Sequence, residues 1–527
     1  MKKISILLFF LSMLSLRLFA QSADWSTSVA TIIYNNCSVC HHTGAIAPFP
    51  LMSYQDAVDW SFSIQTDVNI RKMPPWPPDP NYNHLYHERV LSDDEIASIN
   101  DWVDNGSPLG DTTLAPDPPV FTDGNSEMVN ASDTLQFAGF EVIEQEVDVY
   151  RTFVIHSGWT TTKYINQIEF LPSNPAIVHH VFIYWDSSNI SFETDSLYPE
   201  VGFPGGGQGG FSPYTVYFAG WTPGSTMLTL PANMGFQVAP GSDFALTVHY
   251  APGSAGLTDS MMVKVKFCDL PDSLVRPVYA ERWLFWHPPS LIDGPLTIPA
   301  NEVKTFHEKT DSFITDLSIV QLQPHSHLIC TSWKVFLVNA PGDTTNLISI
   351  PKWDFNWQMG YLFTKLIKVP VNSQIWGEAT FDNTTNNPDN PSNPPELVTA
   401  GETTFDEMMA CRFSYLDYLP GDENIILDSS YYGFPTGIPA SYYDLPLQLF
   451  PNPANDQFGI ITNLPEHQLN WTILDVRGVT VKSNRLDNVR KGAFTAQINV
   501  SDLSTGLYFF TIQSGSQQAV RKITIAR

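Results

Sequence analysis

Beyond its first residues the chain has no long hydrophobic run. After residues 4–16, no stretch approaches the roughly 18 uninterrupted apolar residues that a membrane helix needs, so no stable membrane insertion is expected. Positive charge is scarce. The 27 Lys and Arg stand against 54 Asp and Glu, a formal net charge of −27. That balance disfavours nucleic acid and anionic membranes as partners. No phosphate cradle is expected either, because Gly205-Gly206-Gly207-Gln208-Gly209-Gly210 lacks a following strand-to-helix Lys/Ser pattern and reads as a flexible loop. Cysteine is sparse, with five residues in the whole chain. Two of these fall in one motif, and the odd three outside it (Cys268, Cys330 and Cys411) allow one disulfide and one cysteine left over.

What is present points to an exported, mainly β, multidomain protein. Residues 1–20 read as a signal peptide: Lys2 and Lys3 are followed by an apolar run, with Ala20 a plausible cleavage point before Gln21. Arg17 and the shortness of the run argue against a retained helix. The length predicts about three or four domains. With 41 Pro, 31 Gly and many short β-type runs, the bulk is expected to be antiparallel β with turns.

Near the N-terminus stands Cys37-Ser38-Val39-Cys40-His41. This C-x-x-C-H spacing lets two thiols add to the vinyl groups of a haem while the adjacent His ligates the iron. At this Cys and His content the pentapeptide is expected by chance about 0.001 times. A zinc half-site or a disulfide is the alternative. The unit is expected to span residues 21–112. It closes with a helix that Ser92 N-caps, that Glu95 completes as a capping box, and that Asn105-Gly106 stops. Ile96, Ile99, Trp102 and Val103 line one face of it. Between motif and helix, Met73 sits in Arg71-Lys72-Met73-Pro74-Pro75-Trp76, where a rigid loop could present a thioether as sixth iron ligand. Met52, His84 and His87 are rivals. This order resembles the small class I cytochromes c. The resemblance implies a small α-helical domain, one covalently bound haem c with axial His41 and Met73, and an external electron donor.

Residues 113–135 read as a linker, and a second Pro-rich joint covers 434–446. The last block, 446–527, runs through Leu449-Phe450-Pro451-Asn452-Pro453, Ile473-Leu474-Asp475-Val476-Arg477-Gly478 and Leu503-Ser504-Thr505-Gly506-Leu507-Tyr508-Phe509. Its short alternating segments suggest an Ig-like β-sandwich. It resembles the C-terminal sorting domain of type IX secretion substrates; an ordinary Ig-like binding module is the alternative. The resemblance implies the type IX secretion machinery as a partner. It also implies delivery through the periplasm of a Gram-negative bacterium to the cell surface or beyond.

The middle of the chain carries a second constellation. His179-His180 lies in an apolar run, and an adjacent pair needs a bulge or strand end if both rings are to point one way. Phe244, Leu246 and Val248 share one strand face, which leaves His249 on the other. His325-Ser326-His327 puts two imidazoles at i and i+2, on one strand face. Asp406-Glu407-Met408 follows. Taken singly, a strand His is usually structural, and a His-x-His pair usually holds zinc if it holds a metal. Together, three His make a nitrogen-rich site able to hold copper in either oxidation state, whereas two His and a Met make a softer site that favours Cu(I).

The order His-His, Val-His-Tyr, His-x-His, Asp-Glu-Met resembles the copper type II, ascorbate-dependent monooxygenases, the family of the peptidylglycine α-hydroxylating and dopamine β-monooxygenases. The likeness extends to Ala219-Gly220-Trp221 and Trp353-Asp354-Phe355-Asn356-Trp357-Gln358. It implies two antiparallel, jelly-roll-like β-sandwiches, 136–275 and 276–435, facing across a solvent cleft. It further implies an electron-storing copper on His179, His180 and His249, and an oxygen-activating, catalytic copper on His325, His327 and Met408. The reaction would hydroxylate a C–H bond of a small-molecule or peptide substrate with O2, the haem replacing ascorbate as electron donor. Gln323 and Arg412 stand where the amidating relatives have Arg and Tyr, so these are the candidate substrate contacts. Cys330 and Cys411 are the candidate disulfide. The rival reading is a non-enzymatic surface electron-transfer or copper-binding protein.

If Cys37 and Cys40 hold a haem through thioethers, the mature protein is expected to keep its haem colour on a denaturing gel; release of the haem at the dye front would refute covalent attachment.

Overall fold

A computed structural model gives the fold. It describes residues 22–43, 45–121, 126, 128, 130–143, 149–205, 215–340, 342–427, 447–475, 479–515 and 517–527. The expected signal peptide, the Gly-rich loop from residue 206 and the 434–446 joint lie outside the described residues. Strand makes up 42% and helix 11%, which places the chain in the mainly β class. Among the described residues no helix is long and apolar enough to cross a membrane.

The chain divides into two units, one of Met1–Trp76 with Arg89–Val120, the other of Pro77–Glu88 with Phe121–Arg527. The first is helical. A π-helical turn, Trp25–Val29, is capped by Asp24, whose side chain accepts from Thr27 N–H, and runs into α1 (Ala30–Asn36). Two short helices follow, α2 (Tyr54–Asp59) and α3 (Ser61–Asn69), and then α4 (Asp93–Asp104). The capping box read from Ser92 and Glu95 is formed. Ile99, Trp102 and Val103 are buried against Trp25, Val29 and Ile33, while Ile96 packs at the margin. Asn105 caps the helix, and Gly106 turns the chain away at φ +81°, a conformation open to a residue without Cβ.

The second unit is built from sheets. The strands that carry the site are β1 (Val178–Asp186), β2 (Asp243–Tyr250), β3 (Arg276–Phe285), β4 (Leu317–His325) and β5 (Ala410–Asp417). A five-stranded sheet runs in the order Phe203–Pro204, Val149–His156, β2, β1, Thr215–Trp221. A nine-stranded sheet runs Asp133–Gln136, Met262–Phe267, Lys163–Leu171, Met234–Val238, β3, β5, β4, Tyr361–Val369, with Leu228–Thr229 beside Lys163–Leu171. A four-stranded sheet runs Val303–Lys309, Gln374–Asp382, Cys330–Val338, Thr344–Ile350.

The nine-stranded sheet crosses the boundary expected at residue 275. Strand β3 begins there and pairs parallel with Met234–Val238 and antiparallel with β5. The two halves therefore share backbone hydrogen bonds, and one core includes Phe153 and Phe236 from the first half with Val320, Leu366 and Leu416 from the second. All eight residues of β2 are buried. Its Phe244, Leu246 and Val248 face that core, and its other face meets Phe182 and Tyr184 through Ala245.

Residues 77–88 were expected in the haem unit but fold with the second unit. Asp79 N–H donates to Ser349 O (2.8 Å) and Tyr86 N–H to Leu362 O (2.8 Å). Asn83 and Asn346 exchange side-chain bonds with the opposing backbone. Thr344–Ile350 and Tyr361–Val369 are edge strands of two different sheets, so one segment covers both edges and satisfies part of their open backbone. Leu85, 2% exposed, is its apolar anchor.

Residues 447–525 hold seven strands in a three-stranded and a four-stranded sheet. Phe458, Ile460, Trp471, Ile473, Phe510 and Ile512 form their own core. The strand read around Leu507, Phe509 and Thr511 is present, with Tyr508, Phe510 and Ile512 as its buried phase.

Leu85→Ala is expected to destabilise the second unit by about 2–5 kcal/mol, the usual range for a buried Leu; a denaturant midpoint equal to wild type would show that the segment is not part of the core.

Candidate metal centre

Three imidazoles converge between β1 and β2. His249 pairs with His180, but Tyr250 pairs with Val178, so His179 is an extra residue on β1. This is the bulge that an adjacent His-His pair needs to turn both rings to one side. The Nδ1 atoms of His179 and His180 lie 3.1 Å apart, and those of His249 and His180 3.4 Å. One ligand atom from each of the three lies within 4.8 Å of the others. Tyr150, opposite His249 on the neighbouring strand, stacks on its ring at 4.2 Å, and Phe355 stacks on His179 at 4.4 Å. Burial, and then the neighbouring His249 and His179, hold His180 well below the ordinary imidazole range. A neutral ring keeps the lone pair that a metal ligand needs. Three converging imidazole nitrogens fit a late transition metal such as copper or zinc.

The second set is placed differently from the expectation. His325 ends β4, and His327 lies beyond the strand, so the two do not share a strand face. Their rings still approach to 5.2 Å between centroids. His325 Nδ1–H donates to Gln358 Oε1 (2.6 Å), and His327 Nδ1–H donates to the Asp406 carbonyl (3.0 Å). That tautomer assignment follows from the acceptors and leaves Nε2 of each ring as the atom that could ligate a metal. Burial, then His327, pushes His325 well below its ordinary value. Met408 is 2% exposed, just before β5. Glu407 Oε2 accepts N–H bonds from both His327 (2.9 Å) and Met408 (3.1 Å), tying the two ligand-bearing segments together. Burial raises the Glu407 carboxyl to about 8, against the opposing pull of these N–H donors. Two imidazoles and a buried thioether fit a soft cation.

Among the described residues the two sets approach each other closely, where the family resemblance implies a solvent cleft between them. The rings of His180 and His325 lie 6.2 Å apart. Phe355, stacked on His179, also lies 6.0 Å from the His327 ring. His180, His249 and His327 are all buried.

Sequence reasoning missed the residues that hold the ligands. Phe355 and Gln358 lie in a segment that carried only a resemblance, and Glu407 stood out only as part of the Asp406-Glu407-Met408 run. Tyr150 carried no signal. Gln323, expected to touch substrate, is buried and engages both polar atoms internally: Tyr217 O–H donates to Oε1 (3.1 Å), and Nε2 donates to Gln358 O (3.1 Å). Arg412 lies between the rings of Phe182 and Tyr217, 4.6 Å from each centroid. The expected Cys330–Cys411 disulfide is not formed. Each thiol is buried and donates to a nearby backbone carbonyl, Ser332 O and Arg412 O respectively.

In the first unit, Cys37 caps α1, and the N–H groups of Cys40 (3.1 Å) and His41 (3.0 Å) donate to its carbonyl. This turn gathers the three motif residues. His41 Nδ1–H donates to Phe49 O (3.0 Å), so Nε2 is the ring atom that could reach an iron. Burial lowers His41 and raises the Cys37 thiol to about 12. Met73 follows α3, its N–H donating to Asp67 O (3.3 Å). His84 and His87, rivals to Met73, belong to the 77–88 segment of the other unit, where His84 pairs with Glu88 at 3.1 Å.

Residues 448–526 match the secretion system C-terminal sorting domain. The protein thus carries a type IX sorting tail, which marks it for the cell surface or the extracellular space. No curated protein matches the chain. Solved structures with some likeness include apo β-glucuronidase 3 of Bacteroides uniformis (8% identity, 45% of this chain and 29% of that one, TM-score 0.13). They also include the β-glucuronidase of Bifidobacterium dentium (10%, 42% and 39%, 0.14) and the VP2 subviral particle of infectious bursal disease virus (11%, 70% and 81%, 0.15). The chain spans well under half the length of either glucuronidase, and at these TM-scores none bears on fold or function.

Because the folded state depresses His180 and His325, the unfolded chain takes up protons first as pH falls. Stability of the metal-free protein is expected to be insensitive to these groups above about pH 6.5 and to fall below it. Denaturant midpoints between pH 8 and 5 measure this, and His180→Leu should flatten the slope. An unchanged slope would assign it to other groups.

Proposed function

We propose that this is an exported copper monooxygenase that takes its electrons through a covalent haem c. The observation that carries the reading is the convergence of His179, His180 and His249 beside a second pair, His325 and His327, with Glu407 accepting backbone N–H bonds from both His327 and the buried Met408. The first three would hold the electron-storing copper, and His325, His327 and Met408 the oxygen-activating one. Cys37, Cys40 and His41 would hold the haem, with Met73 as the sixth ligand.

With copper held by both sets, the site would supply redox storage at the nitrogen-rich set and an oxygen-binding position at the softer one; hydroxylating a C–H bond with one atom of O2 while the other leaves as water would take two electrons, entering through the haem, and two protons. The chain's own residues prepare this. Gln358 and the Asp406 carbonyl hold the Nδ1 protons of His325 and His327, which fixes both rings and makes Nε2 the better donor. Phe355 and Tyr150 cover the His179 and His249 rings and exclude water from them. Arg412, held between two rings, keeps a fixed cation near His325 and favours its neutral form. A donor in the same chain has a higher local concentration than a free reductant. The tail provides delivery and no ligand to either set. Gln323 is occupied inside the protein, so recognition of a substrate carboxylate in the manner of the amidating enzymes is not supported. The substrate is a small molecule or peptide of another class.

Purified full-length protein is expected to bind two copper ions per chain. Once reduced and given O2 with a metabolite extract, it should reoxidise its haem in a substrate-dependent way. Met408→Ile should slow that reoxidation by about 100-fold. Two bound coppers with reoxidation indifferent to any extract would favour the non-enzymatic electron-transfer reading, and zinc preferred at both sets would exclude both.

A further inference from the structure

We infer that Glu407 is the positioning residue of the His325, His327 and Met408 set, one buried carboxylate that fixes His327 and Met408 against each other. The inference rests on the proposed copper reading. Glu407 is fully buried, with 0% of its surface exposed. Its Oε2 accepts from His327 N–H (2.9 Å) and Met408 N–H (3.1 Å), and its Oε1 from Ile329 N–H (2.9 Å). A carboxylate withdrawn from water is costly unless donors surround it, and backbone N–H groups supply them here.

The need for such a clamp follows from the fold. His325 is held by the β4 ladder, opposite Ala410. His327 lies past the end of that strand. Met408 lies two residues before β5 begins. Neither lies within a strand. Glu407 is itself anchored: its N–H donates to Thr399 O (3.0 Å) and its carbonyl accepts from Gly401 N–H (3.1 Å). It therefore joins three segments, 399–401, 327–329 and 408. Metal–ligand distances tolerate only about 0.2 Å. A loose clamp should release the thioether first, because it is the weakest of the three donors.

Glu407→Gln keeps the shape but turns an amide NH2 toward backbone N–H donors. The test loads full-length protein with Cu(I), titrates it with a competing chelator and reads copper–sulfur scattering by X-ray absorption. In Glu407→Gln the second copper should bind about tenfold or more weaker, with the sulfur signal lost and the three-His copper within twofold of wild type. Glu407→Asp keeps the carboxyl group on a shorter side chain, should give a partial loss, and serves if the Gln variant does not fold. Met408→Leu should abolish the sulfur signal with the carboxylate intact. A lower melting temperature with both affinities and the sulfur signal unchanged, or equal loss of both coppers, would reduce Glu407 to a purely structural role. Wild-type protein that binds only one copper, or shows no sulfur signal, would instead overturn the copper reading itself.

Discussion

The site depends on a single mismatch in a β-ladder. Regular pairing sends neighbouring side chains to opposite faces, so His179 and His180 could not meet in an unbroken strand. The extra residue on β1 removes that restriction just where His249 faces His180. Without it, one ring would point into the apolar core with Val181 and Val248. A slip of one residue in this register would scatter the three nitrogens, which makes the bulge the constraint from which the rest of the centre follows.

Burial then decides the chemistry. Burial and crowding hold His180 and His325 toward the neutral form, which keeps the lone pair a metal would need. The two sets use this differently. In the three-His set the Nδ1 atoms themselves converge. At His325 and His327, Nδ1 is tied to an oxygen, which leaves Nε2 as the atom that could ligate. His41 in the helical unit follows the second pattern, with a backbone carbonyl as its acceptor. An oxygen acceptor behind a ring orients it and strengthens the opposite nitrogen as a donor, so one physical device recurs in two unrelated folds within the chain.

The shared sheet joins the two halves that carry the sets. Had the halves been independent sandwiches, a solvent-filled gap between them would be natural. Strand β3 instead hydrogen-bonds to both halves, and apolar residues from both enter one core. Separating them would expose that core, so the halves are held together by the bulk of the fold. The segment around Leu85 adds to this by covering the edges of two sheets.

The sequence by itself determined what is local. The turn of the C-x-x-C-H motif, the Ser92–Glu95 capping box, the Gly106 stop, the need for a bulge at His179-His180 and the sorting tail were all legible, because each rests on residues within a few positions of one another. The ligand types were legible too, since donor chemistry belongs to the side chain. Only the tertiary structure decided how these parts meet. His327 lies off its strand and is held by Glu407, 80 residues away. Gln323 is occupied by Tyr217, 106 residues away. The 77–88 segment folds with strands more than 260 residues distant. Strand periodicity says which way a side chain points, but the neighbour it meets there depends on which strands pair, and that is settled by burying one core for both halves.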